Sequence, residues 1–98
     1  MTDTDARLLK TPVFHRRTAP ANFKQQAADW DVWDCIGPTY AHDYDQGVTL
    51  FVDRGAARVD FSTGDSVQLQ VGDLLTIEVG AKGVWTILQT VRNLYRYT

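Results

Sequence analysis

Apolar and polar positions alternate along most of the chain in short runs that stop at turn residues. Ala57-Arg-Val-Asp-Phe61 and Val67-Gln-Leu-Gln-Val71 keep a period of two, with Ser62-Thr-Gly64-Asp65 between them as a hairpin signal. Further runs are Asp31–Ile36 before Gly37-Pro38, Val48–Val52 before Asp53-Arg-Gly55, Leu74–Val79 before Gly80, Val84–Leu88, and Asn93–Tyr97. This spacing predicts six to eight strands and an all-β sandwich or barrel. Arg58, Asp60, Gln68 and Gln70 share outward faces, as in antiparallel strands wet on one side. Val48–Val52 and Val84–Leu88 are apolar on nearly both faces. Their outer faces need a cover, either the N-terminal segment or a second subunit, and a homodimer is the expectation.

The opening segment lacks this period. It carries Arg7, Lys10, Arg16, Arg17 and Lys24 with Pro12 and Pro20, and reads as an extended arm with a short helical turn in Asn22–Ala28. The division expected is residues 1–28 as an arm packing on the barrel or on a partner subunit, and 29–98 as the barrel. With 98 residues, 44% apolar and 22% charged, the chain can bury one core. A net charge of −2 argues against nucleic acid, which wants a basic surface. No apolar run has membrane-spanning length, and MTDTDARLLK is unlike a signal peptide. Cys35 is the only cysteine, which excludes an internal disulfide and fits a cytoplasmic location.

The segment Gly72-Asp-Leu-Leu-Thr-Ile-Glu-Val-Gly80-Ala-Lys-Gly83-Val-Trp85, followed by Val91-Arg-Asn-Leu-Tyr95, resembles the second half of short single-domain cupins. The similar proteins are those grouped with ureidoglycine aminohydrolase and the ethanolamine-utilisation cupins. The resemblance spans about Trp30 to Tyr97. It implies a double-stranded β-helix, or jelly-roll, barrel with a pocket at one mouth and an extended N-terminal arm. Metal-using cupins carry ligands on two motifs. Aligned on Gly55, the first motif puts His42 and Tyr44 at its histidine positions and Val48 at its glutamate. The second fits Gly72 and Gly80, and puts Gly83 at its histidine. The turn glycines are present and three of four ligands are absent, so no metal and no other cofactor is expected. A metal, if held, would use His42 with Tyr44 or Asp45, or His15 were the arm to reach the barrel mouth.

On a strand, His42 and Tyr44 share a face and Asp43 and Asp45 take the other. The pair reads as ligand-binding or acid–base chemistry, or as a hydrogen-bonded structural histidine. In the register of the resemblance, Trp33, Cys35, His42, Tyr44, Leu50 and Trp85 line one pocket. Trp85 taken alone reads first as core packing. Six aspartates (Asp29, Asp31, Asp34, Asp43, Asp45, Asp53) lie among Trp30, Trp33, Tyr40, Tyr44 and Phe51 without a lysine or arginine between them. Carboxylates beside aromatic faces suit a cationic ligand, although aspartates also guard sheet edges. The function expected is binding of a small molecule, cationic or polar-aromatic, by Trp33, His42, Tyr44 and Trp85. The alternatives are a metal-dependent cupin enzyme (hydrolase, isomerase or oxygenase) with non-standard ligands, and a structural or interaction module.

Overall fold

Residues 13–98 are described in the computed structural model, and they form seven strands and one short helix. The strands are β1 (Phe14–Thr18), β2 (Asp31–Cys35), β3 (Thr39–Asp43), β4 (Val48–Phe61), β5 (Ser66–Gln70), β6 (Asp73–Ile77) and β7 (Lys82–Tyr97); α1 (Phe23–Gln26) lies between β1 and β2. All strand pairs are antiparallel. The frame is the β4–β7 pair, matched from Val48↔Tyr97 to Phe61↔Gly83. Each long strand takes a different neighbour at each end. The first part of β4 pairs β6 and the second part β5; the first part of β7 pairs β3 and the second part β2. One sheet therefore folds over itself with its inner face on the core.

Two expected breaks are absent. Asp53-Arg-Gly55 does not end a strand, and the Val84–Leu88 and Asn93–Tyr97 runs are two parts of one strand. The reason is Gly55. It holds φ +83° inside β4, and the β4–β7 register slips before, across and after it, between Val52 and Arg54, between Arg54 and Ala56 and between Ala56 and Ala57. An extra residue in one strand bends the ladder without breaking it. A Cβ at position 55 would collide with the Thr90 carbonyl across the pair, so the bend requires glycine.

Alternation along each strand, with a change of parity in β4 across the bend at Gly55, sorts the apolar residues into two clusters. Val48, Leu50, Val52, Val59 and Phe61 of β4 point inward with Leu75 and Ile77 of β6 and Trp85 and Val91 of β7. Phe51, Leu74 and Leu94 point outward and form a second cluster with Ala27, packed under Ala19, Phe23 and Trp30. The Phe23 ring lies 5.4 Å from those of Trp30 and Phe51, and Lys24 Nζ is 3.1 Å from Asp53 Oδ1. The outer face of β4 is thus covered by the segment around α1. β1 adds a strand to the edge of β6, from Phe14↔Ile77 to Thr18↔Asp73. Val84 and Leu88, on the outer face of β7, are exposed in the single chain. Among the described residues, no helix is long and apolar enough to cross a membrane. Residues 1–12, which hold Arg7, Lys10 and Pro12, lie outside the described part.

Candidate functional site

The inward faces of β2, β3, β4 and β7 meet at one end of the folded sheet and line an open-mouthed cavity of about 160 Å³. β2 supplies Trp33, β3 supplies Tyr40 and His42, and Tyr44 follows directly after β3. β4 contributes Val48 and Leu50 to the wall, and β7 contributes Trp85, Asn93, Tyr95 and Tyr97. The β7 residues are all odd-numbered, so an unbroken period of two points them to one side.

Five of these rings form a closed circuit. Trp33 meets Trp85 edge-on at 5.2 Å and Tyr40 at 5.2 Å. Tyr40 stacks on His42 at 5.8 Å, and His42 meets Tyr44 edge-on at 4.5 Å. The circuit closes through a hydrogen bond, in which Trp85 Nε1–H donates to Tyr44 Oη at 2.9 Å. Both of those residues are buried, so the bond satisfies an indole donor that has no access to water. Burial pushes the Tyr44 phenol up to about 12; the Trp85 donor opposes that rise in part, and nearby Tyr40 and Tyr97 add to it. Tyr44 is therefore a neutral phenol near neutral pH. Tyr40 Oη lies 3.1 Å from His42 Nδ1, a hydrogen bond whose donor depends on the histidine tautomer.

Asn93 differs from the rest. It is fully buried, its Cα partners are Val52 on β4 and Trp33 on β2, and neither Oδ1 nor Nδ2 has a hydrogen-bond partner among the described residues. Leaving a buried polar atom unpaired costs about 1–3 kcal/mol.

All four site residues expected from sequence, Trp33, His42, Tyr44 and Trp85, border this one cavity, as does Leu50. Cys35 does not, and neither does any of the six aspartates. Asp34 lies on the outer face of β2, where Arg92 donates to its two oxygens at 2.8 and 3.3 Å. That contact holds the Asp34 carboxyl below the usual carboxylate range. Asp53 pairs with Lys24, and Asp29, Asp31, Asp43 and Asp45 are exposed. Trp30 and Phe51 belong to the outer cluster. The proposed alliance of carboxylates and aromatic faces is split by alternation, with the aspartates outside and the pocket's rings inside. Sequence reasoning did not place Tyr40, Asn93, Tyr95 and Tyr97 on the pocket wall. The signal that finds the last three is the even spacing from Trp85, once β7 is read as one strand.

The residues at the metal-motif positions do not fit a metal. His42 is the single imidazole, Tyr44 is a neutral phenol engaged by Trp85, and Val48 offers no donor atom. At Gly83, the Cα partner of His42, a Cβ would already sit 3.1 Å from Val59 Cγ1 and 3.4 Å from Phe61. The space a histidine would need there is filled by core side chains. His15 lies on β1 with Nε2 3.9 Å from Glu78 Oε2 and does not border the cavity. Among the described residues, no group of three or more His, Cys, Asp or Glu is placed to hold a metal.

The chain is similar in fold to several solved structures. A DUF861 family protein from Thermotoga maritima superposes with a TM-score of 0.80 at 21% identity, over 87% of this chain and 99% of that one. The EutQ protein of Clostridium difficile gives a TM-score of 0.62 at 14% identity, over 86% of this chain and 66% of that one. A putative ethanolamine utilization protein Q from Salmonella typhimurium gives 0.56 at 21% identity, over 67% of this chain and 51% of that one. No curated protein matches the chain. The model of the EutQ-like cupin domain family matches residues 24–95, the stretch that holds β2 to β6, nearly all of β7 and every wall residue of the cavity except Tyr97. With barrel, turn glycines and family match in agreement, the chain belongs to the EutQ-like cupin domain family.

Proposed function

We infer that the cavity is a binding site for one small, neutral molecule with an aromatic or apolar body and a polar group, held without a metal at the family's motif positions. The observation that carries this reading is the closed circuit of Trp33, Tyr40, His42, Tyr44 and Trp85 around about 160 Å³ of space. A cavity near that size, lined by apolar groups, accommodates a molecule of about the size of benzene. Aromatic walls give contact area and orientation, and a few polar groups give specificity. Cation–π attraction would also suit a small cation. No carboxylate borders the cavity to reinforce it, so a neutral ligand is the better match.

The test is titration of the full chain with benzyl alcohol and, separately, with tetramethylammonium, read by tryptophan fluorescence and by calorimetry. Saturable binding of benzyl alcohol that is lost in Trp33→Ala supports the reading. Binding of tetramethylammonium alone would replace the neutral ligand with a cationic one. A response to neither probe would remove the binding function.

A further inference from the structure

The aromatic circuit describes the body of a ligand, and its polar groups are largely committed to each other. Tyr44 Oη accepts from Trp85, and Tyr40 is engaged with His42. Among the described residues, the buried side-chain polar atoms without a partner are those of Asn93. This residue is fully buried and borders the cavity. An aliphatic side chain would fill this inward position on β7 without any desolvation cost, as Val91 does two residues earlier.

Resting on the binding reading above, we propose that Asn93 is the specificity residue of the cavity, selecting a small molecule whose carbonyl and adjacent N–H share one edge, such as a primary carboxamide or a lactam on a single-ring body. A carboxamide side chain presents an acceptor and a donor side by side. Its complement is a second amide edge, which satisfies both atoms with two parallel hydrogen bonds. A carboxylate offers acceptors only and faces Oδ1 with like partial charge. An ammonium offers donors only and leaves Nδ2 unpaired. A ketone satisfies Nδ2 and leaves Oδ1 bare. Exchanging the oxygen and nitrogen assignments of Asn93 changes none of this, because the side chain offers the same pair in either orientation. A site built to hydrogen-bond a ligand discriminates against analogues that leave its buried groups unpaired.

The experiment compares four probes of similar size on the full chain by calorimetry: benzamide, acetophenone, benzylamine and ethylbenzene. Benzamide is expected to bind at least about tenfold tighter than each of the others. In side-chain amide NMR spectra, the Asn93 Nδ2 resonances should move on adding benzamide and stay in place with ethylbenzene. In Asn93→Leu the preference should vanish while ethylbenzene binding remains. The ranking and the NMR shift are read on the unmodified chain, so they decide the matter even if that variant fails to fold. Equal binding of all four probes, with unmoved Asn93 resonances, would overturn the amide proposal and leave the aromatic binding site standing. Saturable binding of none of them would overturn both.

Discussion

Tyr44 illustrates how much a single side chain can be asked to do at the wall of a small barrel. Its hydroxyl is the acceptor for the buried Trp85 indole, and its ring packs edge-on against His42. Tyr44→Phe keeps the ring and strands Trp85 Nε1. The expected loss is about 1–3 kcal/mol of stability, measured by urea unfolding at pH 7. The same residue sets a limit at alkaline pH. Its folded pKa is raised to about 12 from an ordinary 10.0, so the folded state holds the proton more tightly than the unfolded chain. That stabilisation is fully present below about pH 10 and is lost as pH rises from there through about 12, to a total of roughly 2–3 kcal/mol. Unfolding followed between pH 9 and 12 should show the fall, and Tyr44→Phe should flatten it. At this scale the sequence was informative about His42, Tyr44, Trp33 and Trp85, because a period of two and a motif register both speak to which residues share a face. It was silent on the unpaired amide of Asn93. Nothing in the local pattern marks a buried, unpaired amide, since pairing depends on neighbours contributed by β2 and β4.

At the scale of elements, the bend at Gly55 decides the architecture. It converts a segment that reads as strand, turn, strand into one 14-residue strand whose two parts serve different neighbours. Gly55→Ala is expected to cost at least about 1–3 kcal/mol, because alanine must adopt a positive φ and push against the Thr90 carbonyl. Thermal unfolding of that variant beside Gly64→Ala gives the contrast. Position 64 shares a positive φ of 93° but has open space around its missing Cβ, so the milder loss belongs to it. The short α1 depends on what it covers. Four residues do not make a stable helix in isolation, and Phe23 with Ala27 and Trp30 instead seals Phe51, Leu74 and Leu94. Phe23→Ala should lower stability by about 1–3 kcal/mol and expose Phe51 to solvent, which urea unfolding together with binding of a hydrophobic dye would register. Local sequence contained the glycine and the turn signals. It did not reveal whether a glycine among polar residues ends a strand or bends one, because that depends on a partner strand being present across the gap.

For the molecule as a whole, the β4–β7 pair is both the frame and the back wall of the cavity. Amides at Val52, Val59, Val91 and Asn93 should therefore exchange with solvent only through global unfolding. Those of α1 should exchange through local opening, faster by orders of magnitude, in hydrogen-exchange NMR. The all-β class, the core faces of most strands, the turns at Gly72 and Gly80, and the kinship with small cupins were all determined by sequence alone. Each depends on residue spacing within a strand or turn, which survives without knowledge of partners. Which faces look at each other was decided by the tertiary structure. It sent the six aspartates to the outside, where Arg92 and Lys24 meet two of them, and drew Tyr40, Tyr95, Tyr97 and Asn93 into the cavity. It also filled the space beside Gly83 with Val59 and Phe61. The physical reason is that a binding site is assembled from strands distant in sequence, and both its chemistry and its free space depend on what each strand finds opposite.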